Sequence, residues 1–400
     1  MFDILNLIKP NKKEEEELLK LIYKFLGKII TPLRKVNAKP IIGGSFAKGT
    51  WLKGDHDIDI FVLFKDDENC SNILEKILIK SFKKVERIHG SRDYFQIVFD
   101  NINFEIVPVF DIKNSSEARN VTDVSVLHSR WVRENTDEKL KDSIRLTKQF
   151  CKAQGVYGAE TYIKGFSGYV LEILTIYYGG FNNLLKGALK WEDYQTIDIV
   201  KYGSVLNADK YSILNVIDPV QPNRNIAAAL SKEKLIKFKK SCSGYLSQPN
   251  KKFFVINELT LNDFNKFDIL IEAFGLQGSR DIVGTKLLKA YERIFSRLSD
   301  EGFDVKENGW YWDGKAYFYF NVANKKLDKQ VIHYGPPLSK KEHVEVFKRK
   351  YKGYKISESG DKLFVMLPRK YFKLKDFIHY LIKDDFYIKT KVSKIKVIKT

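Results

Sequence analysis

Apolar residues recur at helical spacing over residues 14–26, where Leu18, Leu19, Ile22 and Leu26 form one stripe. Gly27 stands just past that stripe, a common place for a helix to stop. The period then shortens. Asp57-Ile58-Asp59-Ile60 leads into Phe61-Val62-Leu63-Phe64, which reads as a buried strand. Residues 94–99 and 102–108 are two more strand-like runs, with Asp100-Asn101 between them as a two-residue hairpin loop. Helical spacing returns near Asn135, where Glu138 three residues on predicts a capping box. Leu140, Ile144, Thr147 and Cys151 share one face of that helix, and Gly155 is its stop. A second, apolar helix is predicted over 167–178, ending at Gly179-Gly180. Residues 184–246 read as mostly helical, interrupted by an irregular segment at 218–225. From Lys252 the texture is mixed, with strands predicted at 254–256, 309–312 and 316–322. Ser339 with Glu342 predicts a capping box for a helix over 343–350, and alternation over 390–399 predicts a strand with one basic face.

The first strand carries the chemistry. Residues i and i+2 of a strand point to the same face, so Asp57 and Asp59 project together. Adjacent carboxylates repel unless something neutralises them. Mg²⁺ does so, and it typically takes one or two carboxylates plus substrate phosphates. Upstream stands Gly43-Gly44-Ser45. Glycines let a backbone approach closely, and a serine hydroxyl adds to nearby N–H donors, which suits a triphosphate. Glu105, flanked by Phe104 and Ile106, faces away from the apolar side of its strand. Read alone it is a solvated glutamate. Read with the aspartate pair and the Gly-Ser turn upstream it is the best candidate for the third carboxylate that a two-metal site needs.

Composition narrows the setting. A chain of 400 residues has room for two to four domains, and 44% hydrophobic content supports real cores. Cys70, Cys151 and Cys242 are widely spaced and odd in number, which fits neither a zinc pattern nor a disulfide framework and points to a reducing cytoplasm. Cys151 reads as helix core. The first residues run quickly into Lys12-Lys13-Glu14-Glu15, unlike a signal peptide. The most apolar stretch, 166–181, is interrupted by Glu172, so no membrane span is expected. The net charge is +19. AT-biased codon use accounts for Lys over Arg but not for that excess over acids, so a polyanionic partner is expected. The last residues carry Lys389, Lys391, Lys394, Lys396 and Lys399 with no acid after Asp385. They read as a phosphate-binding face or a solvated strand edge.

Gly-Ser, a spacer of about a dozen residues and Asp-x-Asp on a strand resembles the nucleotidyltransferase signature of the DNA polymerase β superfamily. Further along come Val156-Tyr157-Gly158-Ala159-Glu160, Lys164-Gly165-Phe166-Ser167-Gly168-Tyr169, Asp218-Pro219-Val220 with Arg224-Asn225, and His333-Tyr334-Gly335-Pro336-Pro337. In this order they resemble the archaeal (class I) CCA-adding enzymes, the tRNA nucleotidyltransferases. The likeness runs from about residue 30 to the C-terminus and is strongest through Asn225. It implies an α+β multidomain fold: a head on a mixed sheet at 1–134, a helical neck at 135–250, a mixed α/β body at 251–305 with 366–400, and a tail at 306–365.

The resemblance also implies an activity. Such enzymes add C, C and A to the 3′ end of tRNA from CTP and ATP, without a nucleic-acid template, by in-line transfer that releases pyrophosphate. Asp57, Asp59 and Glu105 would hold two Mg²⁺ ions; the family normally has Asp at the Glu105 position. Gly44, Ser45 and Lys48 would meet the triphosphate, with Lys48 where the family often has Arg. Ser125 takes a family Thr position and His128 a phosphate-contacting one. Lys148 and Tyr157 match further nucleotide contacts, and Arg224 matches the arginine that reads the incoming base. Without the resemblance, Lys148 is an exposed helix lysine bordering the apolar stripe, Tyr157 is neck packing and His128 is structural. The implied partner is tRNA, through its acceptor stem and 3′ end. The oligomeric state is left open, a homodimer included. Two other readings stand beside this one: an oligoadenylate-synthase-like or poly(A)-polymerase-like transferase sharing the head, and a catalytically inactive RNA-binding protein.

Overall fold

A computed structural model describes residues 4–55, 57–65, 69–90, 92–203, 206–257 and 259–400. The first three residues, part of the start that reads as lacking a signal peptide, lie outside them. The chain divides into two units, Met1–Asn257 and Glu258–Thr400.

The first unit begins with α1 (Ile4–Ile8) and α2 (Lys12–Arg34). Asn11 caps α2 in a reciprocal box with Glu14. The buried stripe of α2 runs on through Phe25, Ile29 and Leu33. Gly27 therefore does not stop the helix. It sits exposed in mid-helix, where its cost of about 1 kcal/mol is offset by burial on either side. Next come β1 (Lys39–Ile42), α3 (Gly44–Lys48), β2 (Asp57–Phe64), α4 (Cys70–Ser81), β3 (Glu86–Ile88), β4 (Tyr94–Phe99) and β5 (Ile102–Phe110). The strands form one sheet in the order β1-β2-β5-β4-β3, with β2 and β5 parallel and the other pairs antiparallel. Asp100 and Asn101 make the β4–β5 turn, both at positive φ (48° and 64°), as a two-residue hairpin of this type requires. Ile58, Ile60, Val62 and Phe64 enter the core under α2 and α4, where Phe25 stacks on Phe104 at 4.0 Å. Strand alternation therefore puts Asp57 and Asp59 on the opposite face.

The helical part follows: α5 (Ser125–Glu134), α6 (Glu138–Ala153), α7 (Gly168–Tyr177) and α8 (Phe181–Ala188). The cap of α6 is Asp137, whose Oδ1 accepts from Leu140 N at 2.7 Å. Asn135 instead ends α5, so the expected box does not form. Ser167 caps α7, and Cys151 lies fully buried in α6. Residues 184–246 are less helical than expected. Between α8 and α9 (Lys232–Ser247) lie β6 (Gln195–Ile197), β7 (Leu214–Asp218) and β8 (Gln221–Asn225), a three-stranded sheet. Segment 218–225 is thus the β7–β8 turn and strand. Every residue of β7 is buried, and a short run buried on both faces looks alike as helix or strand in sequence. Residues 254–256 form no strand. A 3₁₀ turn, Lys251–Phe254, instead inserts Phe254 into the helical core.

The second unit comprises β9 (Ile269–Phe274), α10 (Arg280–Glu301), β10 (Val305–Asp313), β11 (Lys315–Val322), β12 (Gln330–Pro337), α11 (Lys341–Lys350), β13 (Ile356–Ser359), β14 (Lys362–Pro368), α12 (Leu374–Asp384), α13 (Phe386–Lys389) and β15 (Lys394–Lys399). Two sheets result, β10-β11-β9-β15 and β12-β14-β13. The expected tail at 306–365 thus includes two strands, β10 and β11, that pair into the sheet with β9 and β15. Ser339 and Glu342 make no capping box; Lys340 precedes α11 without a side-chain cap. The C-terminal alternation becomes strand only from Lys394, and Lys396 pairs with Glu272 at 2.7 Å. Among the described residues no helix is long and apolar enough to cross a membrane.

Candidate active site

The parallel register of β2 and β5 sets Asp59 opposite Glu105 and Asp57 opposite Asn103. Asn103 Nδ2 donates to Asp57 Oδ1 at 3.0 Å, and Gln96 Nε2, from β4, donates to Glu105 Oε1 at 2.7 Å. Glu105 is half-buried rather than a solvated strand glutamate. Burial raises its carboxyl and Asp57 adds to the shift, against the Gln96 bond. Asp59 is pushed up to about 7 by burial and by the charges of Glu105 and Asp57, against the pull of Lys48. These oxygens are hard ligands short of positive charge, which suits a divalent cation. Among the described residues the three acids do not converge into a ready-made cluster.

Helix α3 presses against this strand. Gly43 N donates to the Asp59 backbone carbonyl at 2.8 Å. Gly44 adopts φ +60°, and a Cβ there would lie 1.6 Å from Asp59 Oδ2. Only glycine fits that approach. At the far end of α3, Lys48 Nζ meets Glu172 Oε2 at 2.7 Å. Glu172 Oε1 also takes Lys148 Nζ at 2.7 Å and the Thr50 hydroxyl at 2.6 Å. Burial alone would raise the Glu172 carboxyl, but the two ammonium groups outweigh it and hold it at about 2. Lys148 is therefore no exposed helix lysine. It is fully buried, and burial lowers its pKa.

A cavity of about 330 Å³ opens beside Asp59, and Gly44, Lys48, Ser125, His128 and Arg224 line it with that acid. Ser125 is the first residue of α5 and His128 lies one turn on. Asp123 sets that helix start: it is fully buried, pairs with Arg92 at 2.8 Å, and accepts from the backbone N–H groups of Phe110, Arg119 and Asn120. Tyr169 also lines the cavity, its ring 4.3 Å from that of His128. The structure thus brings together six of the residues expected from sequence. Asp57, Glu105, Ser45, Lys148 and Tyr157 are off the cavity wall. Tyr157 packs instead under Lys152, whose Nζ is 5.2 Å from the ring centre.

Residues 22–128 match the nucleotidyltransferase domain, 142–255 the tRNA nucleotidyltransferase second domain, and 278–393 the CCA-adding enzyme C-terminal domain. The CCA-adding enzyme of Sulfolobus acidocaldarius is 32% identical over 92% of this chain and 87% of its own length. The chain belongs to the CCA-adding enzyme family. Its CCA-adding relative from Nanoarchaeum equitans is 34% identical over 91% of this chain and 93% of that one. The one from Methanothermobacter thermautotrophicus is 30% identical, covering 92% and 85%. In fold it is similar to a cytoplasmic RNA terminal U-transferase, with a TM-score of 0.50 at 16% identity, over 64% of this chain and 97% of that one.

Three side chains that organise the cavity carry no role in the sequence motifs: Glu172, Asp218 and Tyr169. Each left a signal. Glu172 is the lone carboxylate in an apolar helix, and such a group is buried only with partners. Asp218 and Tyr169 belong to motifs used for recognition without being given roles.

Proposed function

We propose that this member of the family extends the 3′ end of tRNA with C, C and A, taking CTP and ATP as substrates and releasing pyrophosphate. The observation that carries the reading is the cavity in which Asp59, phosphate-type donors and Arg224 adjoin within one unit. The donor set of Asp57, Asp59 and Glu105 suits Mg²⁺, which when bound, as two ions, would neutralise the triphosphate and activate the 3′-hydroxyl. Lys48 and the N-terminus of α5, with Ser125, supply positive potential for phosphate oxygens, and His128 one turn on bonds to them where its ring carries a second hydrogen. Arg224, a third exposed, presents its guanidinium fork to the acceptor edge of C or A. The hydroxyl attacks the α-phosphorus in line, and the protein's part is to orient and to offset charge. Exposed lysines of the second unit, such as Lys389 and Lys394, suit the phosphates of an A-form stem.

The test uses purified protein, a tRNA transcript lacking its 3′ end, labelled CTP and ATP, and product sequencing. Addition of C, C and A in that order is expected. Runs of A without C would favour the poly(A)-polymerase-like reading, and no addition the inactive RNA-binding one.

A further inference from the structure

One carboxylate joins two nucleotide-facing side chains of the cavity. Asp218 ends β7 and is fully buried. Its Oδ2 accepts from His128 Nε2 at 2.9 Å and from Arg224 NH1 at 3.3 Å. Its Oδ1 accepts from Val220 N at 3.0 Å and from the Tyr169 hydroxyl at 3.2 Å. An ionised carboxylate has about four acceptor sites, so these four donors satisfy it. The donors come from α5, α7, the β7–β8 turn and β8, so the group ties four segments of the unit together. Such a buried acid is stable only while its partners stay in place.

The bonds have consequences for both cavity residues. Asp218 accepts, so His128 Nε2 carries a hydrogen; Nδ1 is the ring atom left for a ligand, and it donates to a phosphate oxygen only when it is protonated too. Arg224 has one terminal nitrogen held, which restricts the swing of its fork and leaves NH2 and Nε to meet a base. Because both share one oxygen, movement of either alters the bond to the other.

We propose that Asp218 is a positioning residue that couples His128 to Arg224, so that the triphosphate and the base of an incoming nucleotide are recognised as one unit. The inference rests on the nucleotide-addition reading above, which gives His128 the phosphate and Arg224 the base. It predicts that disturbing the phosphate side changes the choice of base. It also predicts that Asp218 acts through Arg224 rather than beside it.

The experiment first measures wild-type addition of C and of A on tRNA ends that call for each, which tests the reading independently. Single-turnover rates and nucleotide KM for the correct and the wrong nucleotide are then measured for Asp218→Asn, His128→Asn, Arg224→Ala and the Asp218→Asn/Arg224→Ala pair. Asp218→Asn should cut the correct-over-wrong ratio by about tenfold or more, the scale of one lost charged hydrogen bond. The double variant should discriminate no worse than Arg224→Ala alone, which is non-additive behaviour. His128→Asn retains the carboxylate and touches no base, yet it should lower discrimination several-fold as well as raise KM. Additive effects in the double variant would overturn the coupling. If Asp218→Asn fails to fold, His128→Asn decides alone: a raised KM with an unchanged correct-over-wrong ratio would also overturn it.

Discussion

Asp59 on β2 stands directly opposite Glu105 on β5 in a parallel register. The two residues therefore share a face of the sheet, and the Glu105 charge raises the cost of ionising Asp59 beyond what burial imposes. Gln96 holds Glu105 from the next strand. The extra methylene of glutamate is accommodated by that bond, not left free.

Glu105→Gln should be severely impaired in single-turnover addition, because it removes charge that a divalent cation needs. Glu105→Asp should fall between it and the parent, since its shorter side chain withdraws from Gln96. The check is the rate across a Mg²⁺ titration. A Gln variant matching the parent at ordinary Mg²⁺ would remove Glu105 from the ligand set.

Gly44→Ala tests the approach of α3 to β2. The added Cβ would overlap Asp59 Oδ2 and would sit on a backbone at φ +60°. Displacing a reactive group by about 1 Å can cost about a hundredfold in rate. A loss of that order is expected, accompanied by a lower melting temperature. Parent-like turnover would show that the acid has room to move without consequence.

Glu172→Gln leaves Lys148 buried beside a neutral amide. Breaking a buried pair on one side costs about 3–5 kcal/mol, and a loss of that size is expected in urea unfolding. Adding Lys148→Met should recover much of that loss, because the unpaired ammonium is removed.

The same residue sets a pH dependence. The folded-state pKa of Glu172 is about 2 against an ordinary 4.5, so its contribution is complete above 4.5 and is lost as pH falls toward 2. The stability gap between parent and Glu172→Gln should narrow over that window. A gap independent of pH would show that packing, not charge, underlies it.

Lys389 and Lys394 are exposed, whereas Lys396 is paired with Glu272. Because β15 is built into the sheet with β9, point changes are a cleaner test than truncation. Lys389→Ala with Lys394→Ala should weaken tRNA binding and reduce the salt slope of log affinity by about 1 per lost phosphate contact. An unchanged slope would make this segment a solvated edge.

Local pattern was enough for the strand of Asp57 and Asp59, the Asp100-Asn101 hairpin and the apolar helix α7, because strand alternation, turn chemistry and helical spacing act over a few residues. The family resemblance, not local pattern, nominated Lys48, Ser125, His128 and Arg224, which the fold gathers with Gly44 around one cavity beside Asp59. Burial was a different matter. Gly27 could not end α2 because packing continued past it, and β7 looked helical because both its faces are covered. Read without the resemblance, Lys148 is an exposed lysine bordering the apolar stripe, yet its ammonium lies against a carboxylate 24 positions away. The bond from Asp218 to His128 spans 90 positions. Ion pairs and hydrogen bonds of that kind depend on distance in space, which periodicity along the chain does not encode, so only the tertiary structure decided which charges meet.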